Sequence, residues 1–406
     1  MGEQNRTDGN PIMNNWIQAI LILWAGAMPL AAQEVRAGKE GAGKPYTITV
    51  SLRQEYDDNI NTTPSNEIGS FKTIISPGIT LSYPLENTLI SAGYKFGSTY
   101  FWDRPGDDWD FSHLFNARLN HKFSPRFELD VREQFRYAQE AELRNGAAIQ
   151  RRLGDGWTNT ASIEGIAQWA ERFSTSTTYR NEIQRYDDSA VAFTNDYIQH
   201  EVAQDFLFSV LPTTTAVLNY TFTSTDYDEI DRDFDSHRIL VGADHYLLPT
   251  WLLSGRAGAE FTEYGNSLLE DGVGPYVNIA TVWNYLPGSS VRLGYTYGTS
   301  LTDDANFGSS EGHTFDFGLS HAITAKFTAG TRLGATLQTF EQNQRLNLGV
   351  TQDIDEQSFF GEVFASYAIT EYLSADAGYR HSFVDSDNLA REYWRNQVWI
   401  GLTGKY

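Results

Sequence analysis

The fold is indicated at residues 45–53, where the sequence reads PYTITVSLR. Apolar side chains at Tyr46, Ile48, Val50 and Leu52 alternate there with threonine, serine and arginine. Successive side chains of a β-strand point to opposite faces, so a period of two predicts a strand with one apolar and one polar face. We therefore predict an all-β chain of long, half-apolar strands. The same alternation recurs at residues 75–83, 90–96 and 291–297.

Short turns and long polar loops alternate along the chain and divide it into hairpins. Nine loops and eight turns give about 18 strands, or 16 to 20 if one hairpin is miscounted, and bacterial outer-membrane barrels have such even strand numbers. The sequence therefore predicts a single transmembrane antiparallel up-and-down β-barrel over residues 45–406. The predicted turns centre on Pro84, Pro125, Glu171, Pro212, Pro249, Pro287, Thr324 and Thr370.

A soluble β-propeller is the main alternative, because its repeats are about 40–45 residues long. A propeller blade fits four short strands into that length, whereas each repeat here holds only two long alternating runs. A closed barrel also removes the strand edges that lipid would not tolerate. We therefore favour the membrane barrel.

The N-terminal residues are predicted to direct export and then to be removed. Residues 16–32 are almost entirely apolar and end in two alanines, as in a secretory signal. A membrane-anchoring helix is the alternative, but this stretch is shorter than the roughly 20 apolar residues that a span needs. We expect a signal peptide region at 1–32, a flexible linker at 33–44 and the barrel at 45–406.

Composition argues against several classes of function, among them nucleic-acid binding and cysteine chemistry. The 406 residues include 52 acidic and 30 basic ones, which gives a net charge of −22, and there is no cysteine. Such an acid excess argues against nucleic-acid partners, whose phosphates attract lysine and arginine. The absence of cysteine excludes disulfides, thiolate metal sites and a cysteine nucleophile.

The acidity is concentrated in the nine predicted loops, which hold 30 of the 52 acidic and seven of the 30 basic residues. We therefore predict one acidic rim, which faces the outside and its divalent cations, and a nearly neutral barrel wall. Two of the loops, 138–156 and 339–356, are long enough to fold into the lumen. The loops lie at residues 57–69, 103–109, 138–156, 186–196, 225–235, 265–272, 301–312, 339–356 and 384–392.

The polar face of the predicted strands carries the candidate functional residues. We expect them to line the pore, either as an arginine ladder that guides anionic solutes or as a balanced ion-pair network in a polar lumen. Eighteen strands should leave water inside rather than a packed core. The arginines are Arg53, Arg118, Arg132, Arg136, Arg180, Arg256, Arg292, Arg332, Arg380 and Arg395. The carboxylates are Glu55, Glu128, Asp130, Glu164, Glu182, Asp244, Glu260, Asp316 and Asp376.

Six of the eight histidines form pairs eight residues apart on the apolar face, where we expect them to anchor the edges of the lipid belt. They are His113 and His121, His237 and His245, and His313 and His321.

Three motif matches lack the context that their chemistry requires. Residues 38–44 approximate a phosphate loop but precede a strand instead of a helix. Residues 308–312 match G-x-S-x-G, but we expect them in a loop of an all-β chain, with no strand-turn-helix elbow. Residues 231–242 lack the glycine and glutamate of a calcium loop. We therefore predict no catalytic, cofactor or metal site.

The first hairpin carries two distinctive segments, EYDDNI at residues 55–60 and ISPGITL at residues 75–81. They resemble the opening of a family of putative outer-membrane β-barrel porins from Gram-negative bacteria, some of whose relatives are encoded near exopolysaccharide-export genes. The likeness is sharp over residues 46–100. It implies an outer-membrane location and a pore-like role, and it supplies no catalytic residues.

We therefore expect a porin-like channel of the bacterial outer membrane for passive diffusion of small hydrophilic solutes, with no cofactor and no enzyme activity. Expected partners are outer-membrane lipid, lipopolysaccharide and the assembly machinery, which would read the final strand and its terminal Tyr406. One alternative is an accessory barrel of a polysaccharide-export system, whose cargo would be polysaccharide. A remote alternative is an outer-membrane hydrolase.

Overall fold

A computed structural model describes residues 44–138, 154–266, 271–300, 307–342 and 353–406. Within these ranges 18 antiparallel strands follow one another, and each is hydrogen-bonded to the next. A short helix, α1 (Ser189–Asn195), precedes the eighth strand, and no helix in this part of the chain is long and apolar enough to cross a membrane. The strands are β1 (Tyr46–Asp57), β2 (Ser70–Pro84), β3 (Thr88–Phe101), β4 (Trp109–Ser124), β5 (Phe127–Ala138), β6 (Gly156–Ala170), β7 (Phe173–Tyr186), β8 (Tyr197–Leu211), β9 (Thr214–Tyr227), β10 (Phe234–Leu248), β11 (Trp251–Tyr264), β12 (Gly272–Leu286), β13 (Ser289–Ser300), β14 (Phe307–Ala322), β15 (Phe327–Gln342), β16 (Ile354–Ala368), β17 (Leu373–Ser386) and β18 (Tyr393–Lys405).

The sheet closes on itself because β1 pairs with both β2 and β18. The β1–β18 ladder extends from Thr49 opposite Lys405 to Asp57 opposite Gln397. The predicted 18-strand up-and-down barrel is thereby confirmed. The eight predicted turns join even-numbered strands to the next strand at one end, here called the short-turn end, and the loops lie at the long-loop end.

Closure is supported at the short-turn end by residues that flank the strands. The ammonium group of Lys44 lies 3.5 Å from the centre of the Tyr406 ring. A hydrogen bond between the two side chains raises the pKa of Lys44 and lowers the pKa of the Tyr406 phenol. The two ends of the barrel sequence therefore meet at this point.

The two faces of the wall differ as the alternation predicts. The face that carries Val50, Leu52 and Ile400 is apolar and exposed. The opposite face is polar, and side chains from non-adjacent strands converge on it: the guanidinium of Arg238 on β10 lies 4.3 Å from the ring of Tyr276 on β12. Several carboxylates of this polar face are also buried, as expected where side chains crowd together on the concave side of a closed sheet. The polar face is therefore the inner one.

A buried ion cluster joins the first two strands to the last strand at the long-loop end. The carboxylate of Asp57 is fully buried and lies 2.7 Å from Lys72 Nζ and 2.6 Å from Arg395 Nη2. Asp58 accepts hydrogen bonds from the backbone N–H and the side-chain amide of Asn396, both at 2.6 Å. The charge of Asp57 is therefore neutralised by side chains of β2 and β18, and Asp58 is hydrogen-bonded to β18.

Asn59 completes this connection. Its side-chain amide donates to the carbonyl oxygens of Thr63 at 2.8 Å and of Trp394 at 3.0 Å. We call Asp57, Asp58 and Asn59 the closure clasp. The EYDDNI segment, recognised in the sequence only as a family resemblance, thus has a structural role in sealing the barrel.

The ISPGITL segment lies in β2, and its proline interrupts one ladder. Aligned pairs between β2 and β3 stop at Ile75 opposite Ser98 and resume at Gly78 opposite Lys95. Pro77 lies in this gap. Proline has no N–H to donate to a neighbouring strand, which accounts for the interruption.

The signal peptide region predicted at 1–32 and nearly all of the linker predicted at 33–44 lie outside the described residues. The centres of the two loops that could reach the lumen, 139–153 and 343–352, also lie outside them. The domain boundaries therefore stay predictions.

Replacement of Asp57 by asparagine should destabilise the barrel by about 3 kcal/mol, since it removes the buried carboxylate that lies 2.6 Å from Arg395 and 2.7 Å from Lys72. The matched change Asp316→Asn should cost less than about 1 kcal/mol, because Asp316 and Arg292 are 43% and 40% exposed and 3.6 Å apart. Urea unfolding of the protein folded in lipid vesicles, followed by tryptophan fluorescence, measures both changes. Equal losses in the two variants would contradict the role of the clasp.

Candidate functional site

The arginines and carboxylates singled out from the sequence share the inner face of the barrel. One register row illustrates this: Arg118 lies opposite Arg132, Arg132 opposite Ser162, and Ser162 opposite Arg180, across β4 to β7. The common face follows from the unbroken strand order, which carries the same alternation from each strand to the next. That these residues line a conducting pore stays a prediction.

Most of these arginines form ion pairs on the wall, so the sequence-selected groups come together as small local clusters. The N···O distances are 2.8 Å for Arg53 and Glu55, 2.5 and 2.7 Å for Arg118 and Arg132 with Asp130, 3.0 Å for Arg180 and Glu182, 2.9 Å for Arg256 and Asp244, and 3.6 Å for Arg292 and Asp316. Arg395 pairs with Asp57 in the closure clasp.

The remaining selected groups occupy the same face with other partners. Glu128 accepts from the Asn120 amide at 2.6 Å, and Glu164 accepts from the Ser176 hydroxyl at 2.7 Å. Glu260 pairs with Arg238 at 2.9 Å, Arg136 lies on β5 opposite Thr158, and Asp376 lies on β17 opposite Gly401.

Several charged residues of the inner face were missed by sequence reasoning, and Glu362 is one of them. It lies 2.7 Å from Arg332 and 3.8 Å from Arg380, and it therefore links two arginines that the sequence placed separately. The sequence signal was that Glu362 falls on the polar face of β16. Phe360 and Phe364 lie on the same face, however, and make the alternation of polar and apolar residues less regular there. Lys72, Asp57 and Arg238 are further inner-face charges that were not selected.

Many inner-face guanidinium groups are packed against an aromatic ring as well as a carboxylate. A cation over a ring face is attracted by the ring quadrupole, and the stack also restricts the side chain to one orientation. These arginines are therefore held in fixed positions along the wall. The distances to the ring centre are 4.2 Å for Arg53 and Trp399, 4.3 Å for Arg238 and Tyr276, 4.6 Å for Arg332 and Phe364, and 4.6 Å for Arg380 and Phe360.

All eight histidines lie on the outer face, including the six predicted to anchor the lipid belt. A repeated pattern joins four of them to a tyrosine on the preceding strand through a hydrogen bond. Amphipathic rings of this kind suit a membrane–water interface. The pairs are Tyr94 with His113 at 2.8 Å, Tyr179 with His200 at 2.9 Å, Tyr220 with His237 at 2.8 Å, and Tyr295 with His313 at 3.0 Å.

The G-x-S-x-G match at residues 308–312 lies inside strand β14, so its assignment to a loop was wrong. Strand β14 begins at Phe307, several residues earlier than the end of the loop predicted at 301–312. In the described ranges, no group of three or more histidine, aspartate or glutamate side chains is arranged to hold a metal ion.

Comparisons with known families agree with this architecture. The family described as "putative beta-barrel porin 2" matches residues 46–406. The chain belongs to this family. The match starts at the first hairpin, where the sequence resemblance was sharp, and extends over the whole barrel. With its closed wall and apolar outer face, this porin-family barrel is a protein of the bacterial outer membrane.

No curated protein matches the chain. Several solved structures are similar to it, all at low identity. OpdK of Pseudomonas aeruginosa, solved with vanillate, has 9% identity and a TM-score of 0.48, with 89% of this chain and 99% of that chain covered. A BenF-like porin of Pseudomonas fluorescens has 13% identity, a TM-score of 0.48 and coverage of 90% and 100%. OccAB4 of Acinetobacter baumannii has 11% identity, a TM-score of 0.45 and coverage of 89% and 98%.

Replacement of Gly298 by alanine tests the packing of the inner-face rings. The added Cβ would lie 2.5 Å from Cδ2 of Tyr276, so the ring would have to leave the position in which it contacts Arg238. We expect a destabilisation of about 1–3 kcal/mol. The matched change Gly318→Ala meets nothing within 4 Å and should be neutral or slightly stabilising. Urea unfolding in lipid vesicles compares the two, and a neutral Gly298→Ala variant would show that the ring is not fixed there.

Proposed function

We propose that this porin-family barrel is a passive channel for small hydrophilic solutes and that its inner-face charges form the channel lining. The supporting observation is that water reaches charged groups of the inner face. The side chains of Lys122, Arg180 and Arg292 are 53%, 43% and 40% exposed. A barrel of 16–18 strands is wide enough to enclose an aqueous channel.

The proposed lining consists of charged groups fixed by their neighbours. Pore preference depends on the positions of such charges and on the width that they leave. The arginines proposed are Arg53, Arg118, Arg132, Arg136, Arg180, Arg256, Arg292, Arg332, Arg380 and Arg395. The carboxylates proposed are Glu128, Asp130, Glu182, Glu260 and Asp376.

Transport by this barrel is proposed to involve no bond chemistry. Ser310 of the G-x-S-x-G match is fully buried and lies on the inner face of β14, opposite Ser300. A serine nucleophile needs a base within hydrogen-bond reach, and every histidine of the chain is on the outer face. This arrangement favours a channel over a hydrolase.

Outer-membrane lipid, including lipopolysaccharide, and the barrel-assembly machinery are proposed partners. The final strand β18 supports the second of these. Most of its outward side chains, apart from Asn396 and Gly404, form an exposed apolar row that continues into the aromatic residue directly after the strand. They are Trp394, Val398, Ile400, Leu402 and Tyr406, with exposed fractions of 45–65%.

Reconstitution of the purified protein in planar lipid bilayers tests the channel. We expect stepwise conductance increases that scale with salt concentration, because an aqueous lumen conducts by diffusion. A heat-unfolded sample of the same protein is the control. A persistently sealed membrane after verified insertion would refute the proposal.

The accessory-barrel alternative makes a different prediction for cells. Deletion of the gene would abolish surface polysaccharide and leave solute uptake unchanged. A passive channel instead predicts slower uptake of small solutes with normal surface polysaccharide.

A further inference from the structure

Glu133 on β5 is an acidic residue on the lipid-facing side of the wall. It lies opposite Ala117 on β4, and residues directly opposite each other in a ladder point to the same face. Ala117 is midway between His113 and His121, the two histidines of β4 assigned to the edges of the lipid belt. Glu133 therefore lies near the middle of that belt.

This position is unusual for a charged group of the outer face. In the described strands the other outward-facing acidic and basic residues lie near the long-loop ends, where water and headgroups are close. Arg185, Asp235 and Glu263, for example, are each one residue from a strand end. A carboxyl group in the middle of the belt has to lose its water, which costs free energy unless another polar group replaces it.

The described part of the chain supplies no such group. Glu133 makes no hydrogen bond or ion pair with any described residue, and neither does Asn159 on β6, its diagonal neighbour on the same face. The nearer belt edge, at Tyr137 opposite His113, is four residues away from Glu133. That is about 13 Å along the strand, which is farther than a glutamate side chain extends. Glu133 and Asn159 are therefore available to a polar group of another molecule.

The two side chains complement each other chemically. A carboxyl oxygen accepts hydrogen bonds, and the nitrogen of an amide side chain donates two. Diagonal neighbours of a ladder are about 7–8 Å apart, and Glu133 and Asn159 make no hydrogen bond to each other. One surface of the barrel therefore carries both halves of a hydrogen-bonded pair.

The wall around these two residues is formed by small side chains. Ala117 and Ala161 lie on either side of Glu133 in its ladder row, and Gly165 follows on the same face of β6. An added Cβ at Gly165 would meet nothing within 4 Å. Small residues let two membrane-spanning surfaces approach closely. A second protein can therefore reach Glu133 and Asn159 without displacing large side chains.

Another part of the outer wall shows the contrast. Val241 on β10 is midway between His237 and His245 and so lies at a comparable depth. Its row continues with Ala257 on β11 and Val277 on β12. These apolar side chains suit lipid and offer no hydrogen bond. The polar surface on β5 and β6 is thus not a general property of the outer face.

We propose that β5 and β6 form the contact surface between two copies of this barrel in the membrane, with Glu133 of each copy accepting a hydrogen bond from Asn159 of the other. In a two-fold dimer, residue i meets j and j meets i, so a surface that carries both halves of a pair completes two such contacts at once. Lipid tails offer neither donor nor acceptor at this depth, and a different protein would have to supply both groups itself. The dimer requires no assumption about conduction.

This contact surface leaves barrel closure undisturbed. Strands β2 to β4 separate β5 from β1, and the seam between β1 and β18 lies beyond them. Each copy therefore closes its own sheet and keeps its own lumen.

Energy transfer between two fluorophores in lipid vesicles tests the dimer. The full-length chain has no cysteine, so Glu86→Cys in the exposed turn between β2 and β3 gives a single labelling site. Donor-labelled and acceptor-labelled protein are folded together, and transfer at several protein-to-lipid ratios gives the dissociation constant. Transfer should exceed that of random proximity, and an excess of unlabelled wild-type protein should abolish the difference.

Glu133→Leu and Asn159→Leu should each weaken association about tenfold, since each removes two hydrogen bonds between membrane-spanning surfaces. The double variant should be no weaker than either single variant, because both changes remove the same two bonds. Glu133→Leu should also resist urea at least as well as the wild type, because it removes a polar group from lipid. Misfolding would then not account for its weaker association.

Ala161→Leu and Ala257→Leu are a matched pair that tests the surface. The first should hinder close approach at β6 and weaken association, and the second, at comparable depth on β11, should leave the dissociation constant unchanged. Equal effects would overturn the surface, and full additivity of the Glu133 and Asn159 changes would overturn their pairing. Wild-type transfer no greater than random proximity at every ratio would overturn the dimer, whether or not the protein conducts ions in planar bilayers.

Discussion

The structure depends on one constraint, that no backbone N–H or C=O group may remain unpaired where it faces lipid. A flat sheet would leave unpaired backbone groups along its two edge strands. The barrel has no such edges, because β1 pairs with β18. Backbone hydrogen bonds alone do not explain why β1 pairs with β18 and not with another strand. The closure clasp favours this pairing, because it brings Arg395 of β18 within ion-pair distance of Asp57, beside Lys72 of β2.

The inner wall applies a second constraint, that charged groups in a polar lumen must stay in place. Carboxylates on the same strand or on a neighbouring strand fix one edge of many arginines, and aromatic rings fix one face of several. At Gly298 the absence of a Cβ makes room for such a ring, that of Tyr276. Strand pairing, ring packing and ion pairing thus combine to produce a wall whose charges are ordered before any solute arrives.

The sequence alone predicted the barrel, its strand number and its turns, because alternation and turn residues are local signals. It also placed the selected arginines on the correct face of each strand. It missed Glu362, whose strand carries Phe360 and Phe364 on the inner face, and it misplaced residues 308–312 because glycine and serine also mark loops. The closure clasp was not predictable in physical terms, since its partners are 338 residues apart along the chain and only the closed barrel brings them together.

The order of pairing along the sheet has a consequence for folding. Each strand except β1 can pair with the strand just before it as the chain adds to the sheet, and those contacts close only short loops. The β1–β18 contact instead requires both ends of the barrel sequence, and contacts of such separation are slow to form. Until β18 pairs with β1, one edge of β1 has unpaired backbone groups. The Asp57 carboxylate, which is buried in the closed barrel, then lacks the guanidinium of Arg395. An incomplete barrel therefore exposes an Asp57 carboxylate that lacks the cation of the last strand, and this distinguishes it chemically from the closed barrel.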